Sequence, residues 1–457
     1  MSSESFDLVV SNVSIASTST RWRPQAGWLA CRGRTVAAVG AADDPVPAAH
    51  TTIDGDGGTL LPGLRNAHTH GSEFLARGHA DGETLAVWLS SVWSRLDGLS
   101  PQDMRLAVTC GALLSIRSGV TGIVDHLRRN PMTDDVLQAA IDGYDATGIR
   151  ALLAVMVRDR LGANNRPVGA GHLNDLEPAT RQIDRIARFA WQASDRVRIG
   201  IGPSASIRCT DELLTAARDL SREAQLPIHI HVAETQDEAA SERAAFGMTS
   251  FQRLERLGVL SERTACAHCV WMMPEDLEIM AGSGATAVHN PVSNLRLGSG
   301  IADLPALASA GVPVAIGTDG AASNDGVDVW EALKYAALLP RRNGATGLIS
   351  NEAFLDMATL TGAQALGGQS STQPGSSQLL PGDPADFCIY PAIDAPFVSN
   401  ELFAAGLVLS SPRRPRHVVI DGAHILDDGQ FRLIDEAKIV ADARQAAARL
   451  FSCKILS

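Results

Sequence analysis

The chain has 457 residues, 45% of them hydrophobic and 20% charged, which suits a soluble globular protein with a large hydrophobic core. Its 51 acidic and 39 basic residues give a formal net charge of −12, which argues against nucleic acid and anionic membranes as partners. The seven cysteines lack the spacing of a disulfide framework, and the first residues show no signal segment. These features predict a cytoplasmic protein.

The two ends of the chain share short β-like runs separated by turn residues. Neither end alone has enough strands for a stable sheet, so we predict one small β-sandwich domain formed from residues 1–59 and 376–457. Residues 436–451 are predicted to form a closing helix, and residues 367–382 a linker. The predicted strands are residues 7–15, 28–39, 51–59, 385–390, 417–420 and 424–426.

Residues 60–375 alternate buried apolar runs with amphipathic helical segments. Eight such runs, each turning polar at its C-terminal end, predict parallel βα units that close into a (β/α)8 TIM barrel. In such barrels the chemistry lies at the C-terminal ends of the strands. The runs are residues 60–70, 121–126, 150–157, 196–205, 226–235, 264–272, 284–291 and 312–320.

Two histidines, His68 and His70, stand at the end of the first run. Side chains two apart on a strand share a face, so both imidazoles can reach one metal ion. By themselves they could equally be core histidines. Partners at other strand ends decide between the two interpretations.

Further metal-ligating side chains follow later runs. His231 and Glu234 lie at the end of the fifth run, His268 ends the sixth, and Asp319 follows the eighth. Three of these imidazoles together with one of the carboxylates, around one barrel mouth, predict a catalytic metal site with room for water. This ligand set suits Zn²⁺ and also Fe²⁺, so ligand type does not choose between them.

The order of these motifs resembles that of the amidohydrolase superfamily. Within it, the chain is similar to the branch that holds S-adenosylhomocysteine, guanine and melamine deaminases and atrazine chlorohydrolase. The resemblance covers nearly the whole chain. The motifs are Leu61-Pro62-Gly63, His68-Thr69-His70, His231-Val232-Ala233-Glu234-Thr235, Ala267-His268-Cys269, His289-Asn290-Pro291-Val292-Ser293-Asn294-Leu295, Gly317-Thr318-Asp319 and the returning segment 381–386.

The resemblance implies a role for each histidine and carboxylate at the strand ends. Glu234 would move protons between water, ring nitrogen and leaving group, and His268 would orient the attacking water. Asp319 would bind the metal and also accept a proton. The implied metal ligands are His68, His70, His231 and Asp319.

We predict one divalent metal ion, zinc or else iron(II), and a homodimer or larger homo-oligomer. Members with two metal ions need a lysine in the fourth run to carry a bridging carbamate. Residues 196–206 contain no lysine, which predicts a mononuclear site.

The loops after the strands are expected to bind the substrate. Aromatic side chains there can stack on a flat ring and arginines can bind a carboxylate or carbonyl, although long barrel loops often carry only solvated charge. By contrast, His229 is expected to face away from the mouth and to be structural. The candidate substrate contacts are Glu73, Trp88, Trp93, His126, His289 and Asn324.

The predicted function is a mononuclear metal-dependent hydrolase, an aminohydrolase that attacks a ring carbon–nitrogen centre of a small nitrogen heterocycle. The alternative reaction on the same scaffold hydrolyses another C–N or C–X bond, that of a chloride, thiocarbamate, urea or cyclic amide. A catalytically inactive barrel that serves as a scaffold is the non-enzymatic alternative. Such a barrel would be expected to lose ligands or Glu234, and all of them are present.

Overall fold

The computed structural model describes residues 5–79, 82–83, 85–160, 176–191, 194, 196–343, 349–367, 378–394, 398–410 and 413–451. Within these ranges the strands form two sheets of eight strands each. The strands are β1 (Phe6–Ile15), β2 (Gln25–Arg32), β3 (Thr35–Ala41), β4 (Ala49–Pro62), β5 (Leu64–Thr69), β6 (Val120–Asp125), β7 (Arg150–Val157), β8 (Val197–Pro203), β9 (Ile228–Val232), β10 (Thr264–His268), β11 (Thr286–His289), β12 (Val314–Ile316), β13 (Phe387–Tyr390), β14 (His417–Ile420), β15 (Ala423–Asp427) and β16 (Gln430–Phe431).

Helices cover the sheets. No helix within the described ranges is both long enough and apolar enough to cross a lipid bilayer. The α-helices are α1 (Leu85–Leu96), α2 (Pro101–Arg117), α3 (Asp134–Thr147), α4 (Ala179–Ala190), α5 (Asp211–Ala224), α6 (Gln236–Phe246), α7 (Ser250–Arg256), α8 (Pro274–Ser283), α9 (Pro291–Arg296), α10 (Leu304–Ser309), α11 (Val329–Leu338), α12 (Asn351–Met357), α13 (Leu360–Ala365), α14 (Phe403–Leu409) and α15 (Glu436–Phe451). Short 3-10 helices lie at Thr18–Thr20, Gly71–Ala76, Ser206–Arg208, Leu339–Asn343, Ala392–Asp394 and Asn400–Leu402.

Strands β5 to β12 form the barrel. They are parallel and neighbour one another in chain order, with helices between them. The last strand closes on the first, because the backbone N–H groups of Thr318 and Asp319 both donate to the carbonyl of His68, at 3.1 and 2.9 Å. The predicted TIM barrel is confirmed. Its closure places the residues after β12 directly beside the histidines of β5.

The second sheet combines both chain ends, in the strand order β16-β15-β14-β13-β4-β1-β2-β3. Successive residues of β13 serve opposite faces: Phe387 and Ile389 belong to an apolar cluster confined to this sheet, whereas Cys388 and Tyr390 join the core of the barrel. One face of the sheet therefore has its own core, and the other is packed on the barrel.

The run at residues 60–70 is two strands rather than one. Residues 60–62 end β4 and pair with β13, and β5 begins at Leu64. A Cβ on the intervening Gly63 would lie 2.0 Å from Oγ1 of Thr121, so only glycine allows the chain to pass from one sheet to the other here. The division into residues 1–59 plus 376–457 and residues 60–375 stays a prediction. By strand pairing alone, the terminal sheet reaches Pro62.

The closing helix has the predicted bounds and packs on the barrel. Arg117 of α2 pairs with Glu436 at the start of α15, and Arg449 near its end lies 2.7 Å from Asp103. The C-terminal helix thus covers a barrel helix. Most of the predicted linker, residues 368–377, lies outside the described residues.

A buried ion cluster joins the two sheets. Oδ2 of Asp386 accepts from Arg65 and from Arg150, each at 2.7 Å, and Arg150 also donates to Asp421 at 2.6 Å. Burial raises the pKa of Asp386, but Arg150 and Arg65 outweigh it and lower that pKa to about 2. The carboxylate therefore stays ionised between its two guanidinium partners.

Candidate metal centre and active site

The barrel brings together the five residues predicted to form the reaction centre. His68 lies in β5 and His70 follows it, His231 lies in β9, His268 ends β10, and Asp319 lies three residues beyond β12. All five side chains are buried. Parallel strands end at the same rim, which is why residues so far apart in sequence meet here.

The distances between the ligand atoms suit a metal ion. Oδ1 of Asp319 lies 3.2 Å from Nε2 of His68 and 3.3 Å from Nε2 of His70. Nε2 of His70 in turn lies 3.3 Å from Nε2 of His231. Tetrahedral bonds of the length found for Zn²⁺ place neighbouring ligand atoms about 3.4 Å apart. Each of these three distances is the one expected between neighbouring ligand atoms of a single coordination shell.

The tautomers of two imidazoles are fixed from behind by backbone carbonyls. Nδ1 of His70 donates to the carbonyl of His126 at 2.7 Å, and Nδ1 of His231 donates to the carbonyl of Ser204. Since a carbonyl only accepts, each Nδ1 carries the hydrogen and each Nε2 has a free lone pair. Nε2 of His68 is buried and has no hydrogen-bond partner among the described residues. A cation among these atoms satisfies all three.

Protonation at neutral pH favours metal binding as well. Burial lowers the pKa of His68 to about 4 and also lowers the pKa values of His70 and His231, so the imidazoles are neutral. Burial acts to raise the pKa of Asp319, but His68 and His70 outweigh it and hold that pKa well below its usual value. Neutral imidazoles and an ionised carboxylate are the forms that bind a divalent cation.

Asp319 is held in a constrained backbone conformation. Its φ is +64°, and that of His268 is +75°, both in the left-handed region that costs a residue other than glycine about 1–3 kcal/mol. The Asp319 carboxylate accepts from Oγ of Ser293 at 2.6 Å and from the backbone N–H of Gly320 at 2.8 Å. These bonds help to hold the carboxylate toward the histidines despite the strain.

Glu234 and His268 form a pair next to the metal ligands. Oε2 of Glu234 lies 3.7 Å from Nε2 of His268, whose Nδ1 is 2.8 Å from Oδ1 of Asn294. Burial raises the pKa of Glu234 to about 7, although His268 acts in the opposite direction. Burial also acts to lower the pKa of His268, but Glu234 and Asp319 outweigh it and raise that pKa. A carboxyl group with a pKa near 7 can both accept and donate a proton at neutral pH.

A narrow cavity opens over this centre. Three of the predicted substrate contacts, Glu73, Trp88 and Trp93, line it, and Arg208 lines it without having been predicted. Arg208 lies in the loop after β8 that was expected to face the pocket, so loop position was the available signal. The lining residues are His70, Glu73, Leu85, Trp88, Leu89, Trp93, Arg208, His231, Glu234, His268, Leu297 and Asp319.

Glu73 is a buried carboxyl group in the wall of the cavity. Burial raises its pKa well above the usual value, and the negative charge of Asp319 adds to the effect. A Cβ on Gly320 would lie 1.8 Å from Oε2 of Glu73, so glycine at this position makes room for the carboxyl group. The raised pKa favours the protonated form of Glu73, which can donate a hydrogen bond into the cavity.

Three arginines surround the ring of Trp93 at the cavity wall. The guanidinium carbons of Arg128, Arg158 and Arg208 lie 4.2, 5.3 and 5.9 Å from the ring centre. Arg128 also donates to Asp97 at 2.8 Å. This wall combines an aromatic face with positive charge.

The other three predicted contacts, His126, His289 and Asn324, are not among the described residues that line the cavity. His126 stacks on His231, with ring centres 4.5 Å apart, and its Nε2 donates to the carbonyl of Gly202 at 3.1 Å. Asn324 donates to the carbonyl of Thr318 at 2.9 Å, which supports the turn before Asp319.

His289, the third of these residues, ends β11. It is buried, and burial lowers its pKa to about 4. Direct substrate contact by His126, His289 and Asn324 stays a prediction. The loop after β7, one of those expected to bind the substrate, lies outside the described residues at positions 161–175.

The prediction for His229 is wrong in direction. Its Nε2 lies 2.7 Å from Nδ1 of His68, so it points into the barrel below the metal ligands. Residues two apart on a strand share a face, and His229 therefore points the same way as His231. A supporting role for its ring remains consistent with this position.

Sequence reasoning assigned no role to Ser293 and Asn294, which hold Asp319 and His268. Both lie in α9, which begins at Pro291, the last residue of the segment His289-Asn290-Pro291. Their place in the first turns after a barrel strand was the available signal. Side chains there face the rim, but polarity alone does not say which group they contact.

Comparison with known proteins supports the same kind of site. A family model described as "Amidohydrolase family" matches residues 59–423. A 5'-deoxyadenosine deaminase of Methanosarcina mazei is 33% identical over 415 residues, covering 88% of this chain and 89% of the relative. The protein of the same name from Methanothermobacter thermautotrophicus is 33% identical over 417 residues, covering 88% and 90%.

Solved structures agree over almost the full length. An adenosine deaminase from Xanthomonas campestris with bound zinc has a TM-score of 0.85 and 26% identity, covering 98% of this chain and 100% of that one. Atrazine chlorohydrolase from Arthrobacter aurescens complexed with zinc has a TM-score of 0.86 and 27% identity, covering 96% and 100%.

Proposed function

The chain belongs to the amidohydrolase family and is a metal-dependent hydrolase of carbon–nitrogen bonds, and we propose that it removes the amino group of an aminopurine, as the free base or a nucleoside. The observation that best supports this reaction is the pair of Glu234 and His268, 3.7 Å apart, beside the four ligand groups. The choice of a purine is supported by the relatives named 5'-deoxyadenosine deaminase.

His68, His70, His231 and Asp319 are proposed to hold one divalent ion. The zinc named with two similar structures supports zinc, with iron(II) as the alternative. Strand β8 contains no lysine for a bridging carbamate, which supports a single ion. A divalent ion held by these residues would lower the pKa of a water molecule and so supply a nucleophile near neutral pH.

The protons of that water are moved by two carboxylates. As its oxygen bonds to the ring carbon that bears the amino group, Glu234 accepts one proton and donates it to the adjacent ring nitrogen. Asp319 accepts the second proton and passes it to the amino group, whose bond to carbon breaks. The products are a ring carbonyl and ammonia. His268 is proposed to orient the attacking oxygen and to stabilise its developing charge.

The cavity wall supplies the groups that we propose bind the ring. Trp88 and Trp93 offer aromatic faces for stacking, and Glu73 offers a buried carboxyl donor. Arg208 is proposed to bind a polar or anionic substituent at the other end of the substrate. The arrangement suits a flat, nitrogen-rich ring with a polar appendage.

A second candidate reaction removes another leaving group, such as chloride, from a triazine. It is supported by the similarity to structures named triazine hydrolase and atrazine chlorohydrolase. The two reactions share the attack of water on an electron-poor ring carbon. They differ in what leaves.

The deciding experiment offers the metal-loaded enzyme 5'-deoxyadenosine, adenosine, an aminopyrimidine, melamine and atrazine, and measures ammonia and chloride. We expect ammonia from a purine at the highest kcat/KM. Chloride without ammonia would select the second reaction. Stoichiometric metal with no turnover of any of them would contradict both.

A homo-oligomer and a cytoplasmic location are further proposals. Trp191 at the end of α4 is 82% exposed, and aromatic residues are enriched where protein copies meet. Light scattering during size-exclusion chromatography tests the oligomer, and fractionation of the source cells tests the location.

A further inference from the structure

A second group of possible metal ligands lies in the terminal sheet, apart from the barrel mouth. His417 starts β14, and His424 and Asp427 lie on β15. Oδ1 of Asp427 is 3.3 Å from Nδ1 of His417 and 3.7 Å from Nε2 of His424. These distances are close to the roughly 3.4 Å edge of a tetrahedral Zn²⁺ shell.

A β-bulge makes this convergence possible. Residues three apart on a regular strand face opposite sides, which would separate His424 from Asp427. Here Val418 pairs with Leu426 and Val419 pairs with His424, so one extra residue is inserted in β15. The insertion puts His424 and Asp427 on one face. Bulges of this kind commonly re-aim a side chain toward a site.

The two imidazoles are buried and their ligand atoms lack strong partners. Each histidine side chain is only 8% exposed, and Nε2 of His424 has no hydrogen-bond partner among the described residues. Nδ1 of His417 accepts a long bond, 3.4 Å, from the backbone N–H of Asp428, which an ion bound at this nitrogen would have to displace. Burial lowers the pKa values of both histidines, which favours neutral rings.

A second neighbouring group, besides the N–H of Asp428, opposes binding. Nη1 of Arg432 lies 3.4 Å from Nδ1 of His424, and a guanidinium only donates. When Nε2 of His424 binds a cation, the hydrogen moves to Nδ1 and faces this donor. Arg432 is exposed and can turn away, but its presence weakens the site.

We propose that His417, His424 and Asp427 form a second metal site, for Zn²⁺ or a similar divalent transition ion, which cross-links β14 to β15. Two imidazoles and one carboxylate are the donors that such ions prefer. The Asp427 side chain is 49% exposed, which gives an ion a path from solvent and leaves room for water ligands.

The test equilibrates the full-length, metal-loaded enzyme with Zn²⁺, removes free ions by desalting and measures bound zinc by mass spectrometry. We expect one more zinc per chain in the wild type than in His424→Gln and Asp427→Asn. His50→Gln, an exposed histidine on β4, is the control and should keep the extra zinc. Equal zinc in all four proteins, or loss in the control as well, would overturn the proposal.

Arg432→Gln gives an opposite expectation. Removing the competing donor and its positive charge should tighten the second zinc in a chelator competition by about tenfold, the size of effect that partners of a metal-bound histidine commonly have. Unchanged or weaker affinity would contradict the geometry proposed for His424. Melting temperatures before zinc addition show whether each variant is folded, and half-exposed Asp427 offers the mildest change.

Discussion

Nε2 of His231 lies 3.3 Å from Nε2 of His70, with both rings held from behind by backbone carbonyl groups. Two lone pairs that face each other at this distance repel unless a cation lies between them. The hydrogen bonds to the two Nδ1 atoms hold both rings in this arrangement and so oppose the repulsion. The ligands are therefore positioned before the ion arrives.

Removing the metal should abolish activity and leave the fold intact. Because backbone groups position the histidines, chelator-treated protein is expected to keep its circular dichroism spectrum. Activity should return on adding Zn²⁺, without a refolding step. A loss of secondary structure on chelation would show instead that the ion organises the barrel mouth.

Glu234→Gln should lower kcat by roughly 10²- to 10⁴-fold, the usual contribution of a general acid–base group. The amide keeps the shape of the side chain but cannot move a proton. Metal content should be unchanged, since Glu234 is not among the proposed ligands. Asp237→Asn, an exposed carboxylate on α6, is the control and should behave as wild type. A nearly active Glu234→Gln enzyme would remove Glu234 from its proposed role.

The rate should fall as the pH drops below about 7. The pKa of Glu234 is raised to about 7, and only its carboxylate form accepts the proton of water. Below that pKa the active fraction falls about tenfold for each pH unit. Measuring kcat from pH 5.5 to 9 tests this. The residual activity of Glu234→Gln should not show this fall in rate at low pH. A constant rate down to pH 5.5 would contradict it.

Ser293→Ala should weaken metal binding by about 10- to 100-fold, as expected for a partner that orients a ligand. Oγ of Ser293 donates to Asp319 at 2.6 Å, and without it the carboxylate is free to turn. Competition with a chelator measures the change. Ser323→Ala, which removes only a bond to the carbonyl of Gly320, is the control. Equal affinities in the two variants would deny Ser293 this role.

Asp386→Asn should destabilise the protein by about 3–5 kcal/mol at pH 7, because it leaves Arg65 buried without a carboxylate. The pKa of Asp386 is depressed to about 2, below its unfolded value of about 3.9, so its stabilisation is present above that value. It is lost as the pH falls toward 2.

Urea unfolding at pH 7 and pH 3 should therefore show a smaller difference between variant and wild type at pH 3. Asp442→Asn, which breaks the exposed pair with Lys438, should change little at either pH. A difference for Asp386→Asn that is as large at pH 3 as at pH 7 would contradict the assigned pKa.

The barrel was predictable because its signals are local and repeated. Each buried run ends in a polar group, and the rim is where parallel strands place such groups. That logic anticipated the meeting of His68, His70, His231, His268 and Asp319. The bounds of α15 were predicted as well, because an amphipathic segment at this end of the chain has few structures other than a helix open to it.

Other features depend on contacts that spacing does not encode. His229 was misplaced by a misreading of strand alternation, whereas Arg208 and Ser293 needed the path of a loop or short helix. The passage between sheets at Gly63 was hidden because apolar residues continue on both sides of it. Within the run at residues 60–70, hydrophobicity cannot show a change of pairing partner.

The pairing of Arg65 with Asp386 spans 321 residues of sequence. Arg65 lies in the strand that carries His68, and the strand before it is hydrogen bonded to β13, directly after Asp386. During synthesis this first barrel strand emerges early, yet its anchoring partners leave the ribosome only after most of the chain. We therefore expect His68 and His70 to reach their final setting late, with the unpaired edge of β5 open to wrong pairing until then.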